Sequence, residues 1–304
     1  MPGMSPPPAF RDPSKAKEDR QRPAALSQFL LLSLFILILA LAGTWILANG
    51  GGKDSLDRVR AGGALRIGYA VEAPYAFVDS AGQVTGADPA LAEVLARRIG
   101  IEHIEWRRYE FGSLIGALEG GEIDVIAAGM FVTPNREKRV LFAHPSIAAK
   151  PGLLTQRGRV ASVHSYPEAV AAGLRLAALE GSVEEVALSG LGLPSRLLIR
   201  VPDAQTGFLA LRSGLAEALA LSAPTLRWLA AHDASGSMEL IQPFDSAGGP
   251  GIGLVAQAFR RGDIRLKGAW DRALDAYLST EAHRALVAPF GFVADDLPVA
   301  GAVR

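Results

Sequence analysis

From residue 64 onward, short apolar runs alternate with amphipathic helical stretches, and this alternation restricts the chain to an α/β layered architecture with largely parallel sheets. "ALRIGYA" reads as a strand. "DPALAEVLARRIG" reads as a helix with Asp88 as N-cap, Pro89 first, apolar Leu91, Val94, Leu95 and Ile99 on one face, and Gly100 as its stop. "HIEWRRY" is a strand, "SLIGALEGG" a helix ending in glycine, and "IDVIAAG" a buried strand. The rhythm repeats after about residue 150: "LRLAALEG" strand, "VEEVALSG" helix, "LLIRV" strand, "AQTGFLALRSG" helix, "AEALALS" strand. "ALEGGEIDVIAAG" (117–129) also echoes "ALRSGLAEALALS" (210–222) at a constant offset, with Asp124 opposite Glu217. Two similar lobes are therefore expected, each with a strand ending at Gly129 or Ser222. Ligands of open α/β sheets bind beyond the carboxyl ends of the strands, so two facing lobes would form a cleft.

At one of those strand ends the chain reads Gly129-Met130-Phe131-Val132-Thr133-Pro134-Asn135-Arg136. Thr133 suits an N-cap and Pro134 a first helical position. Arg136 is the misfit, because a cation in the first turn opposes the helix dipole; an anion beside it would explain its presence.

The 304 residues carry no formal net charge, which gives no reason to expect nucleic acid as a partner. There are no cysteines, so disulfides, thiolate metal sites and a Cys nucleophile are excluded. The five histidines form no HxxxH or HxH pair, and no metal or cofactor is expected. "GIGLVA" (251–256) fits GxGxxA, but no strong strand precedes it and no phosphate-binding helix follows. Its glycines read as a bend between lobes, ahead of a strand and two terminal helices.

Residues 1–28 are Pro-rich and polar. Residues 29–48, "FLLLSLFILILALAGTWILA", carry no charge and are long enough to span a bilayer. The positive flank lies upstream, which keeps the N-terminal tail cytoplasmic and exports the rest to the periplasmic side of the membrane. Two readings fit: an uncleaved transmembrane anchor, and a signal segment cleaved after "ALA" at 40–42. A linker follows at 49–54.

The stretches "LRIGYAVEAPYAFVDSAGQVTGADPALAEVLARRIG" and "FGSLIGALEGGEIDVIAAGMFVTPNREKRVLFAHP" resemble type II periplasmic solute-binding proteins of ABC importers. "EAPYAF", "EFGSLI", "AGMFVTPNR", "VPDAQTGFLAL" and "PFGF" narrow the resemblance to the ectoine/hydroxyectoine-binding, amino-acid-type family 3 group, over roughly residues 64–293. The resemblance implies two lobes joined by crossing strands: lobe 1 over 55–150 with a return segment 251–304, and lobe 2 over 151–250. It implies hinge closure over a small zwitterionic solute, which is then presented to an ABC permease by a monomer without catalysis.

For such a solute the resemblance assigns Arg136 to a carboxylate, Tyr75, Phe111 and Phe131 to a delocalised cation, and Glu72 to ring N–H groups. Each cation–π contact contributes about 0.5–2 kcal/mol, against the roughly 8 kcal/mol of micromolar affinity. From lobe 2 it assigns Ser182, Val183 and Ser222. Val183 stands where relatives often carry a hydroxyl, and Ser222 where many carry an Asp for an α-ammonium, which favours a delocalised or shielded cation. Each residue also has an ordinary reading: core rings for Phe111 and Phe131, a hairpin cover for Tyr75, a solvated carboxylate for Glu72, and surface charge for Arg136 beside Lys138 and Arg139. Two other functions remain open: an anchored sensory or partner-docking domain, and a cyclic-acid dehydratase on the same fold, with Glu184 or Glu72 as its acid or base.

Overall fold

The computed structural model describes residues 31–32, 34–38, 40, 54–160, 163–242, 244–245 and 253–298. Residues 31–32, 34–38 and 40 are helical, and their Leu, Ile and Phe side chains are exposed. The rest of the expected 29–48 segment, the tail before it and most of the linker lie outside the described residues. Among the described residues no helix is long and apolar enough to cross a membrane. Lys53–Arg304 form a separate compact unit.

Two five-stranded sheets share one topology. The first runs in the order Ile104–Arg108, Leu65–Tyr69, Val125–Ile126, Ala258–Arg260, Val140–Phe142. The second runs Leu198–Val201, Leu176–Leu179, Ala218–Ser222, Pro151–Gln156, Met238–Leu240. In each, the fourth strand is antiparallel to both neighbours, so the other four point one way. Helices of the βα type cover these sheets, since parallel neighbours need crossover connections. A short antiparallel ribbon, Ile147–Ala149 with Gly253–Val255, runs between the two lobes.

The internal echo falls on the middle strands, Val125–Ile126 and Ala218–Ser222. Its acidic pair has a common structural role. The Asp124 N–H donates to Arg66 O and the Glu217 N–H to Arg175 O. Each carboxylate in turn accepts from the backbone N–H of that same arginine. Asp124 is fully buried and also takes Arg58 and Arg260, with Ser55 donating to it, which ties the first helix, Ser55–Arg60, to the base of the sheet. Burial alone would raise the Asp124 pKa. The Arg66 hydrogen bonds and the charges of Arg66 and Arg58 override it and hold the carboxyl at about 2.

Three local expectations need correction. Asp88 is not an N-cap: the helix spans Ala87–Arg98 with Gly86 before it, and Asp88 is buried, accepting from the Gly129 N–H at 2.6 Å. "GIGLVAQAFRR" holds two strands rather than one, because the chain first crosses between lobes and then returns to the first sheet. Thr133 and Pro134 do open a helix, but Pro134–Glu137 is a single turn, and its Arg136 N–H is satisfied by Thr133 Oγ1. Such a short turn has little dipole to offer an anion.

Candidate functional site

The candidate residues sit beyond the carboxyl ends of the parallel strands of both sheets. In the first lobe, Glu72 and Tyr75 follow Leu65–Tyr69, Phe111 follows Ile104–Arg108, and Phe131 and Arg136 follow Val125–Ile126. In the second, Ser182–Glu184 follow Leu176–Leu179, and Ser222 closes Ala218–Ser222. The parallel strands thus aim their loops from both lobes at one place.

Arg136 bridges the lobes. Its guanidinium donates to Phe131 O at 2.8 Å and to Gly181 O of the second lobe at 2.9 Å. It also lies over the Phe111 ring, 5.4 Å from the centroid. Burial lowers its pKa, while the charges of Glu184 and Glu72 oppose that shift. A strongly basic guanidinium stays charged regardless. The backbones approach closely here: a Cβ on Gly181 would lie 2.9 Å from Gly112 Cα.

Two glycines make room for two of the rings. Gly129, at φ +67°, lies against Tyr75, where a Cβ would come within 2.6 Å of the ring. A Cβ on Gly253 would sit 1.8 Å from Phe131 Cδ1. Tyr75 packs edge-on to Phe292 at 5.3 Å, and both belong with Phe131 and Val255 to a buried apolar cluster. Val183 reaches this cluster from the second lobe. Phe111 is buried in a different cluster. Among the three rings, the guanidinium of the protein itself therefore covers only the face of Phe111.

The polar side of the site is a chain of hydrogen bonds across the lobes. Ser222 Oγ donates to Thr225 Oγ1 at 3.3 Å, and Thr225 Oγ1 donates to Glu72 Oε1 at 2.8 Å. Burial raises the Glu72 pKa to about 8; the Thr225 hydrogen bond and Arg136 pull it down, and Glu184 and Asp88 push it up. Tyr75, 1% exposed, has no hydrogen-bond partner on its hydroxyl although Ser222 is near. Ser182 acts as an N-cap for the helix Val183–Gly190, accepting from the Glu185 N–H.

The sequence reading missed two participants. Thr225 gave no signal beyond its place after Ser222-Ala223-Pro224. Glu184 reads from the sequence only as an acid or base, yet it is 2% exposed with Oε1 unpartnered. Burial raises its pKa to about 7, against contacts with its own backbone and Ser182 and the charge of Arg136. The arrangement offers one cation, two carboxylates from opposite lobes and three buried rings. No group of His, Asp or Glu among the described residues could hold a metal ion.

The fold has known counterparts. The family model of bacterial extracellular solute-binding proteins, family 3, matches residues 65–292. A probable amino-acid ABC transporter periplasmic-binding protein of Sinorhizobium fredii is 27% identical over 278 residues, covering 90% of this chain and 92% of the relative. The crystal structure of EhuB in complex with hydroxyectoine superposes with a TM-score of 0.74 at 27% identity, covering 80% of this chain and 93% of that one. An ancestral amino-acid-binding protein, a precursor of cyclohexadienyl dehydratase, gives a TM-score of 0.68 at 25% identity, over 78% of this chain and 99% of that one. With two lobes of matching topology and a site at their facing strand ends, the chain belongs to the bacterial extracellular solute-binding proteins, family 3, and has their solute-binding role.

Proposed function

We infer that this chain captures a small zwitterionic solute, of ectoine/hydroxyectoine or amino-acid type, between its lobes and delivers it to an ABC permease without chemical change. Arg136 carries the reading: a guanidinium inside the interlobe junction that makes only carbonyl hydrogen bonds, with no carboxylate paired to it among the hydrogen bonds of the described residues. A solute carboxylate supplies that counter-ion through the remaining N–H donors. Glu72 receives the solute's cationic end, and Tyr75, Phe111 and Phe131 wall it. Ser182, Val183 and Ser222 shape the second-lobe side. Lobe 1 takes residues 55–150 and 251–304, and lobe 2 takes 151–250. The exposed apolar helical residues within 31–40 support an anchor or signal segment that places both lobes outside the cytoplasmic membrane. The protein acts as a monomer.

A dehydratase is the second reading, favoured by the raised carboxyls of Glu72 and Glu184 and by the kinship with a dehydratase precursor. The experiment is a thermal-shift screen of the full chain in detergent against compatible solutes and amino acids. A true ligand at about 100 times its dissociation constant adds about 2.7 kcal/mol of stability. Arg136→Ala abolishes the shift, whereas Arg139→Ala, which removes an exposed partner of Glu119, leaves it intact. Equal losses from both variants remove Arg136 from this role, and product formed from a bound solute establishes the dehydratase instead.

A further inference from the structure

The loop after the strand Leu65–Tyr69 has two sides. Glu72 and Tyr75 turn into the solute site and are buried. Val71, Ala73 and Phe77, from the same stretch, border a different cavity of about 400 Å³. None of the candidate solute-site residues lines it. Its far wall belongs to the second lobe: the helix Ala204–Arg212 contributes Phe208 and Arg212, four residues apart on one face, and the helix Ala223–Ala231 contributes Trp228, with His232 just past its end. That second helix serves both places. Thr225 donates to Glu72 in the solute site, and Trp228, three residues on, faces the cavity.

Rings from both lobes meet here. Phe77 lies 5.4 Å from Trp228, their planes tilted by 47°, and packs edge-on to Phe290 at 6.3 Å. The His232 ring stacks on Trp228 at 4.1 Å and is held there by Nδ1, which donates to Trp228 O at 2.8 Å. Phe208 is buried at 5% exposure, whereas Phe77 and Trp228 are only half-buried. A cavity of this size, with apolar walls and a few polar groups, has the usual form of a small-molecule site. Stacked or edge-on rings suit a flat aromatic body.

The polar groups select the charge of that body. Asp233 is the one carboxylate among the lining residues, and it is already satisfied: the backbone N–H groups and hydroxyls of Ser235 and Ser237 all donate to it. The Arg212 guanidinium makes no ion pair and no side-chain hydrogen bond among the described residues; only its backbone carbonyl is engaged, by Gln156. The helix dipole accounts for a cation in a last turn, but not for three rings gathered beside it from two lobes. We propose that this cavity is a second ligand site, complete only when the lobes are closed, for a small aromatic monocarboxylate whose ring lies among Phe77, Phe208 and Trp228 and whose carboxylate meets Arg212. An occupant touching Phe77 and the second-lobe helices together favours the closed arrangement. The inference goes beyond the solute-binding reading and needs no particular solute.

The test is calorimetric titration of the full chain in detergent with indole-3-acetate and its neutral counterpart, indole-3-acetamide. The wild type should bind the acid about fivefold more tightly than the amide, the discrimination that one exposed guanidinium supplies. Arg212→Gln removes that preference by weakening the acid alone. Phe77→Ala weakens acid and amide together, because the first-lobe wall is lost. The idea is overturned if the wild type binds neither probe or binds both alike, if Arg212→Gln keeps the preference, or if Phe77→Ala leaves both affinities unchanged. A preference that survives Arg212→Gln and vanishes in Arg136→Ala places the acid in the solute site; it overturns the second site and leaves the solute-binding reading standing.

Discussion

Glu72 shows how a single side chain couples the site to protonation. Its carboxyl is 7% exposed, holds one hydrogen bond from Thr225, and has a pKa of about 8 against an ordinary value of 4.5. Between those two values the folded, closed protein binds a proton that the unfolded chain does not. Stability from this group is therefore fully present below pH 4.5 and is lost as pH rises through about 8. Glu184 acts in the same direction up to about 7, and Asp88 up to about 6, while Arg136 moderates Glu72 and Glu184 without titrating. Ligand-free protein should melt at a falling temperature between pH 5 and pH 8.5. Glu72→Gln should flatten that slope, keeping a few kcal/mol at the alkaline end that the wild type loses. Parallel slopes for the two proteins in a differential scanning experiment would show that Glu72 does not carry the coupling. None of this was legible from sequence, where Glu72 reads equally as a solvated loop acid. What fixes its character is Thr225, 153 positions away in the chain, arriving from the other lobe.

At the scale of elements, the repeated acid before each middle strand gives a comparison internal to one molecule. Asp124 and Glu217 hold the same backbone pattern, but Asp124 is fully buried among Arg58, Arg66 and Arg260, whereas Glu217 pairs with a half-exposed Arg175. Asp124→Ala leaves three partly exposed guanidinium groups without their shared buried counter-charge and should cost about 3 kcal/mol, the low end for breaking a buried pair. Glu217→Ala should cost at most about 1 kcal/mol. Chemical denaturation of the two variants checks the contrast, and equal losses would mean that the first-lobe cluster adds nothing beyond the shared backbone bonds. The linkage has the opposite sign to that of Glu72: the depressed Asp124 pKa contributes stability above pH 3.8 that disappears as pH falls through about 2. The strand–helix rhythm, the glycine stop at Gly100 (φ +80°) and the Thr133 cap were readable because local spacing and turn chemistry dictate them. The antiparallel fourth strand of each sheet was not, and the crossing ribbon was implied only by the family resemblance, because both arise from pairings across long stretches of chain. Nor did local spacing reveal which of Glu184 and Glu185 faces inward; an acid in a first turn has a sufficient explanation in the helix dipole.

For the whole molecule, the closed arrangement sets favourable interlobe contacts against buried charge. Arg136 to Gly181 and Thr225 to Glu72 hold the lobes together, and Arg227 pairs with Asp296 in a third tie between a second-lobe helix and the returning chain. Against them stand Glu72 and Glu184, both buried, with the Glu184 and Tyr75 oxygens unpartnered. Ionising either acid without a solute favours the open state, where water solvates it; a bound cation removes that penalty. Closure without ligand should therefore diminish as pH rises past 7–8, and ligand should restore it. Neutral isosteres separate this mechanism from simple steric docking. In Glu72→Gln/Glu184→Gln, the closed population of the ligand-free protein should exceed that of the wild type at pH 8 and vary little with pH. The cysteine-free sequence permits clean labelling, and Ser80 and Ser189 are exposed positions on the first and second lobes. Energy transfer between dyes at Ser80→Cys and Ser189→Cys reports the interlobe distance directly. A double variant that stays as open as the wild type at pH 8, or a wild type whose distance ignores pH between 6 and 9, would show that buried carboxylates do not govern closure and that the lobes respond to the solute by contact alone.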